Sequence, residues 1–396
     1  MSIVILRLAN ELKTRGHHVE IILTCEAGDL FIQAQQDGLP VVHIPGYAWS
    51  IPVLHALRVG QYLQRQHYDV LLVNNDKPTH AILAQLHDDS CVMPVLHNDH
   101  RTNYRTAAAN AQAWNVAIAV SDKLRHTFAP LAPARPIVTI ENGVAVPEAT
   151  AWASRAVHQL PLQLLFVGRL EHRQKGVLLL PEILAGCRTA GYDVRLTIIG
   201  EGNDEAALRT KAAEYDCAAM IRWCKHLREE QVYQVMFSAH VLLFPSYFEG
   251  FPLTLLEAAV CGCVPVAHRL PGITEHAVRD GITAHLVEIE AVPAMVAAIG
   301  RLYRDPAHWQ SLSSEGHQFV MEHYTVPTMA DRYLQLMQQV RAGAFPLPSA
   351  RHTLPRLTLA PFSSRDFFIP AIRGMQDRLF RWVRQAVSGK ARKQPE

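Results

Sequence analysis

"FPSYFEGFPLTLLEAAVCGCVPV", residues 244–266, closes one apolar run and opens another, with a helical pattern between them. "VLLFPS" (241–246) reads as a buried strand stopped at a proline, and "YFEGFP" (247–252) as a glycine-containing turn. Pro252 suits the first helical turn, where its missing N–H costs nothing. The helix is predicted from about Pro252 to Val260, ending near Gly262, a natural C′ glycine. Glu249 then sits on the loop before the helix and Glu257 more than a turn inside it. N–H groups near Phe251, Pro252 and Leu253, together with Gly250, would form an anion site at the carboxyl end of a strand. Taken alone, the two acids have plainer readings: Glu249 as a helix cap and Glu257 as a solvated helical residue.

Outward from this stretch, apolar bursts of strand length alternate with helical patterns, which predicts parallel sheets built from βα units. Expected strands lie near 19–24, 41–44, 69–73, 92–96, 116–120 and 137–140 in the first half. In the second half they lie near 163–167, 194–199, 219–223, 241–244, 264–267 and 284–287. Residues 141–161 carry turn formers and no strand period, so they read as a linker between two doubly wound α/β domains. The expected division is 1–150, 151–325, a crossover helix within 326–345, and a proline-containing basic tail over 346–396.

Hydrophobic residues at 49% and charged residues at 19% exclude a disordered chain. The formal charge of +2 conceals an asymmetry. From Arg351 onward there are ten Lys/Arg against three Asp/Glu, a net +7, which leaves −5 for the rest. Nothing in the body of the chain has the bulk charge of a nucleic-acid binder. Seven scattered cysteines without a Cys-x-x-Cys point to reduced thiols and a cytoplasmic setting. The histidines show no zinc-ligand spacing, and no apolar run has the length of a membrane span.

Two more motifs bear on chemistry. "LLFVGRLEHRQKG" (164–176) is a strand and a glycine turn at Gly168, followed by Arg169 and Lys175. Arginine grips phosphate oxygens through its planar fork, and lysine adds a mobile point charge. "LTIIGEGNDEAAL" (196–208) runs a strand into Gly200-x-Gly202 and then a helix, a weak sign of close backbone approach to a ligand.

In this order and spacing the elements resemble the retaining nucleotide-sugar glycosyltransferases of family 4, which have the GT-B fold. The resemblance covers about residues 3–340. It is most specific in Gly168-Arg169-Leu170 with Lys175-Gly176, in the Glu-x7-Glu of residues 249–257, and in "RLPGITEHAVRDGITAHLV" (269–287). "VLHNDH" (95–100), "AVSDKL" (119–124) and "IENGV" (140–144) extend it into the first half. It implies two Rossmann-like domains facing a cleft, the second holding most of the donor. It implies that Arg169 and Lys175 neutralise the donor diphosphate, aided by N–H groups around Phe251–Leu253. Glu249 would hold hydroxyls of the transferred sugar and Glu257 the nucleotide ribose, while His97 would approach the sugar from the first domain, with His100 competing for that role. No metal and no cofactor beyond the nucleotide sugar is expected, and the acceptor would be a glycan or a lipid-linked acceptor. Donor sugar, base and acceptor identity are not legible.

Two departures from the family pattern stand out. The chain opens on what reads as the first helix, without the short strand and Gly-Gly loop that usually precede it, so upstream codons are expected to encode them. The glycine usual after "DG" is Ala284. The alternatives to an active enzyme are a catalytically inactive nucleotide-sugar-binding GT-B protein and a GT-B-fold sugar epimerase. In the tail, residues 368–387 place Ile372, Met375, Leu379, Trp382, Val383 and Ala386 on one helical face, with Arg373, Asp377, Arg378, Arg381 and Arg384 on the other. That pattern predicts either a peripheral contact with anionic membrane lipid or docking on the protein itself.

Overall fold

The computed structural model describes residues 3–24, 28–46, 52–147, 152, 155–225, 227–347, 349, 351, 354, 357 and 358. The expected membrane-contacting segment 368–387 lies outside the described residues. Every strand pairing between named strands is parallel, as the alternation of strand and helix patterns requires.

The chain divides into two compact units. Unit 1 joins Met1–Glu141 to the stretch from Met329 onward, and unit 2 is Asn142–Thr328.

Unit 2 holds β7 (Leu162–Val167), β8 (Val194–Ile199), β9 (Ile221–Cys224), β10 (Val241–Phe244), β11 (Val264–His268) and β12 (His285–Val287). They form one sheet in the order β12-β11-β10-β7-β8-β9. Strands β10 and β11 are buried at every position, which explains their uninterrupted apolar sequence: helices cover both faces. Leu164, Phe166, Ile198, Leu243, Val266 and Trp309 belong to one core cluster. Successive strands run outward from β7 through β8 to β9, and then from β10 through β11 to β12 in the other direction. The order therefore reverses between β7 and β10, which is where a doubly wound sheet opens a ligand crevice at its carboxyl edge.

Unit 1 begins with helix Ile3–Thr14 and holds β1 (Ile21–Leu23), β2 (Val41–His43), β3 (Val70–Asn74), β4 (Cys91–Leu96), β5 (Ala117–Ala119) and β6 (Ile137–Thr139). Its strands form two sheets, β1-β2 and β3-β4-β5-β6. Among the described residues side chains, not a backbone ladder, connect β1 to β3. Tyr68 before β3 donates to Glu20 before β1, and Thr24 after β1 donates to Asp76 after β3.

The helix Val326–Arg341 carries the chain from unit 2 back into unit 1. Beyond it, described residues of the proline-rich stretch are fastened to unit 1. Arg351 is 0% exposed, donating Nε to Ala113 O at 2.8 Å and Nη1 to His87 O, while its backbone N–H meets Asp88 Oδ1 at 2.7 Å. Burial pushes its guanidinium pKa down to about 10. Thr358 N–H then reaches Ala81 O at 2.9 Å. No helix among the described residues is long and apolar enough to cross a membrane.

Candidate active site

The crevice of unit 2 follows from the ladders around β7. Strand β7 pairs with β8 over all six of its residues, but with β10 only at Leu164↔Val241 and Leu165↔Leu242. Past those pairs the two strands carry separate loops, 168–176 after β7 and 245–252 after β10. The first loop carries Arg169 and Lys175, and the second carries Glu249 and leads into the helix that holds Glu257.

The first loop is held by its backbone. Gly168 N–H donates to Ile199 O at 3.0 Å, and Leu170 N–H to Glu201 O at 2.9 Å. A Cβ at Gly200 would stand 1.9 Å from Gly168 O, and one at Gly202 would stand 2.4 Å from Leu170 O. The two glycines thus let β8's exit lie flat against the loop that carries Arg169.

The second loop is fastened to the first. Gly176 has φ +63°, and a Cβ there would sit 2.0 Å from Pro245 O. Tyr247 N–H donates to Gln174 O at 2.8 Å, and Gln174 Nε2 donates to Phe248 O at 3.4 Å. Lys175 Nζ donates to Glu249 Oε1 at 2.6 Å, with side-chain exposures of 14% and 9%. Both ions are largely out of water and are matched to each other. Arg169 is 63% exposed, donating Nη2 to Gln174 Oε1 at 2.6 Å and pairing Nη1 with Glu171 Oε2 at 3.1 Å.

The helix after this loop is Leu253–Val260. Pro252 was expected inside its first turn; at φ −88°, ψ 74° it is the N-cap instead, with no side-chain cap bond. Glu249 therefore does not cap the helix. Pro252 has no N–H, and Leu253 N–H is bonded to Phe251 O at 3.1 Å. The Gly250, Phe251 and Thr254 N–H groups make no hydrogen bond among the described residues and are donors left for an anion. Glu257 lies half-buried in the second half of the helix. Gly262 at φ +77° follows its C-cap, as the sequence predicts.

In unit 1, His97 follows β4 and donates Nε2–H to Asn74 Oδ1 at 2.7 Å, at the end of β3. Desolvation pushes its pKa down to about 4, so the ring is neutral and Nδ1 keeps a lone pair. His100 is spent on the helix Arg101–Ala108, its Nδ1 accepting Thr102 N–H at 3.3 Å as the N-cap.

Two supporting residues had no sequence signal. Gln174 belongs to no pattern that carries chemistry. His268, fully buried at the end of β11, has Nδ1 3.2 Å from Ser246 O and accepts Glu290 N–H at Nε2, bracing the loop that carries Glu249. Its burial in a mostly apolar strand gave it the look of a core residue.

Comparison with known proteins matches this organisation. Residues 1–146 match the family described as Glycosyltransferase Family 4, and residues 152–319 match Glycosyl transferases group 1. The chain belongs to the family 4-type glycosyltransferases. It is 28% identical over 297 residues to glycogen synthase of Mycobacterium tuberculosis (strain ATCC 25618 / H37Rv), covering 73% of this chain and 69% of the relative. It is 25% identical over 351 residues to phosphatidyl-myo-inositol mannosyltransferase of Mycobacterium leprae (strain TN), covering 85% and 92%. A glycosyltransferase from Rickettsia africae ESF-5 superposes with TM-score 0.72 at 14% identity over 85% of this chain and 94% of its own. Anabaena Alr3699/HepE in complex with UDP and glucose gives 0.71 at 15% over 85% and 95%. The fold of this glycosyltransferase is GT-B.

Proposed function

We propose that this glycosyltransferase moves a hexosyl group from a nucleotide sugar to a glycan or lipid-linked acceptor, with retention and without a metal or other cofactor. Its setting would be cell-surface polysaccharide or lipopolysaccharide synthesis at the cytoplasmic face of the membrane. The observation that carries the reading is the Lys175–Glu249 pair beside Arg169, delivered by the two loops that flank the point of strand reversal in unit 2. Two cations on one loop, one of them paired with an acid from the neighbouring loop, suit a ligand that is a diphosphate at one end and a polyol at the other.

In this reading Arg169, Lys175 and the Phe251 and Thr254 N–H groups receive the diphosphate. As the bond from the anomeric carbon to phosphate oxygen breaks, its electron pair goes to that oxygen. Preorganised donors stabilise the charge that builds there. Glu249 offers the sugar hydroxyls the oxygen that Lys175 does not engage. Glu257 takes the ribose diol. His97, neutral with Nδ1 as acceptor, suits a sugar hydroxyl and not a phosphate. Gly168, Gly200 and Gly202 shape the loop that presents Arg169. The relatives support the substrate class: one is a mannosyltransferase by name, and one fold neighbour is a complex with UDP and glucose.

The test is turnover against a panel of nucleotide sugars. Lys175→Ala and Glu249→Ala should each lose transfer by about a hundred-fold with the best donor while staying folded. Near-normal turnover in either variant overturns the site.

A further inference from the structure

We propose that Gln174 is a positioning residue that fixes the Arg169 guanidinium and locks it to the loop carrying Glu249. Gln174 sits in the short helical turn His172–Lys175, between the two cations. Its carboxamide uses both ends. Oε1 accepts from Arg169 Nη2 at 2.6 Å, and Nε2 donates to Phe248 O at 3.4 Å. Its main-chain carbonyl accepts Tyr247 N–H at 2.8 Å. One residue thus makes three hydrogen bonds, one that holds Arg169 within the cation loop and two that tie this loop to the acid loop, immediately next to the Lys175–Glu249 pair.

The chemistry of the amide matters here. Arg169 is a long, mostly exposed side chain, and without restraint it loses rotamer freedom only when a ligand arrives. Glu171 also holds it, at Nη1, but a carboxylate competes with phosphate for the same charge. Gln174 orients the fork and leaves its charge intact. A glutamate at 174 would cancel that charge and set an oxygen against the Phe248 carbonyl, where the present side chain donates. The neutral amide is the side chain of this length that satisfies both partners.

This inference rests on the reading of Arg169 and Lys175 as diphosphate ligands, so the experiment separates the two. Affinities of UDP, ADP and GDP, and of their monophosphates, are measured by titration calorimetry on the full chain and its variants. In the nucleotide series that binds, Gln174→Ala should weaken the diphosphate about tenfold, the effect of losing one charge-assisted bond, and leave the monophosphate within about twofold. Arg169→Ala should do the same, and the double variant should be no weaker than Arg169→Ala alone, because the two act as one unit. Gln174→Glu should weaken the diphosphate at least as much as Gln174→Ala. An unchanged diphosphate affinity in Gln174→Ala, full additivity with Arg169→Ala, or an equal loss for the monophosphate overturns the positioning role. If Lys175→Ala binds diphosphate normally, or no diphosphate binds the unaltered chain, the site reading falls and the inference with it. If Lys175→Ala is weakened and Gln174→Ala is not, only the inference falls.

Discussion

Lys175 Nζ lies 2.6 Å from Glu249 Oε1 although 74 residues separate them in sequence. Each is the other's counter-ion in a largely dry setting, so neither charge is tolerated there alone. Lys175→Ala or Glu249→Ala should each cost about 2–3 kcal/mol in urea unfolding, somewhat below the range for fully buried pairs because water still reaches both groups. A Lys175→Met/Glu249→Leu double variant should recover most of that stability while transfer stays lost. Recovery of transfer together with stability would mean that the pair only holds the loops.

Gly176→Ala should remove diphosphate binding through the fold of the loops, without touching a ligand atom. The substitution forces a side chain into φ +63° and pushes a Cβ to 2.0 Å from Pro245 O, a backbone atom that cannot swing aside. The expected destabilisation is about 2–4 kcal/mol, read from the urea midpoint. A variant with an unchanged midpoint would show that the two loops are not fastened at this point.

Acid should weaken the protein through buried neutral histidines. His80 is 1% exposed, and burial pushes its pKa down to about 3. The unfolded chain binds a proton at this position below about pH 6.5, whereas the folded chain resists it down to about pH 3. The contribution is fully present above pH 6.5 and is lost as pH falls through that window. His97 and His285, each pushed down to about 4, act in the same direction. His80→Leu should therefore flatten, but not abolish, the fall in unfolding free energy between pH 6.5 and 4.5. An unaltered slope would mean that His80 titrates normally in the folded chain.

Arg351→Ala should destabilise unit 1 by about 3 kcal/mol, since it leaves the Ala113 and His87 carbonyls buried without their donor. A chain ending at Thr358 keeps the anchor and should match the full chain in thermal unfolding. One ending at Phe345 should melt at clearly lower temperature.

The same anchor defines how the basic tail is tested against lipid. The full chain should sediment with anionic vesicles at low salt and a chain ending at Thr358 should not, each basic residue contributing about 1 kcal/mol near the surface. If the full chain stays in the supernatant with anionic vesicles, residues 368–387 do not bind membrane.

The strands of both units were legible because buried parallel strands leave apolar runs, such as "VLLF" at β10 and "VPVA" at β11. The two motif loops were legible because glycine and proline mark where strands end. What joins them was not: the Gln174 bonds and the Lys175–Glu249 pair arise from the order of strands in the sheet, which local patterns do not encode. The separation of β1-β2 from β3-β4-β5-β6 was hidden for the same reason. The burial of Arg351 had no sequence signal. It opens a positively charged tail among prolines, and its partners, the Ala113 and His87 carbonyls and the Asn115 side-chain oxygen, come from a distant part of the chain.

Unit 2 is a single stretch of chain, but unit 1 is assembled from both ends of the sequence. A ribosome delivers the first 141 residues early and then must extrude all of unit 2 before helix Val326–Arg341 and Arg351 emerge. Domains fold as units during synthesis, the earlier-made ones first where they are continuous. Here the half that is begun first is completed last. Its strands are all made but wait without the final helix, with the cavity for Arg351 still open, while unit 2 is already whole, and that interval is when the nascent chain has most need of a chaperone.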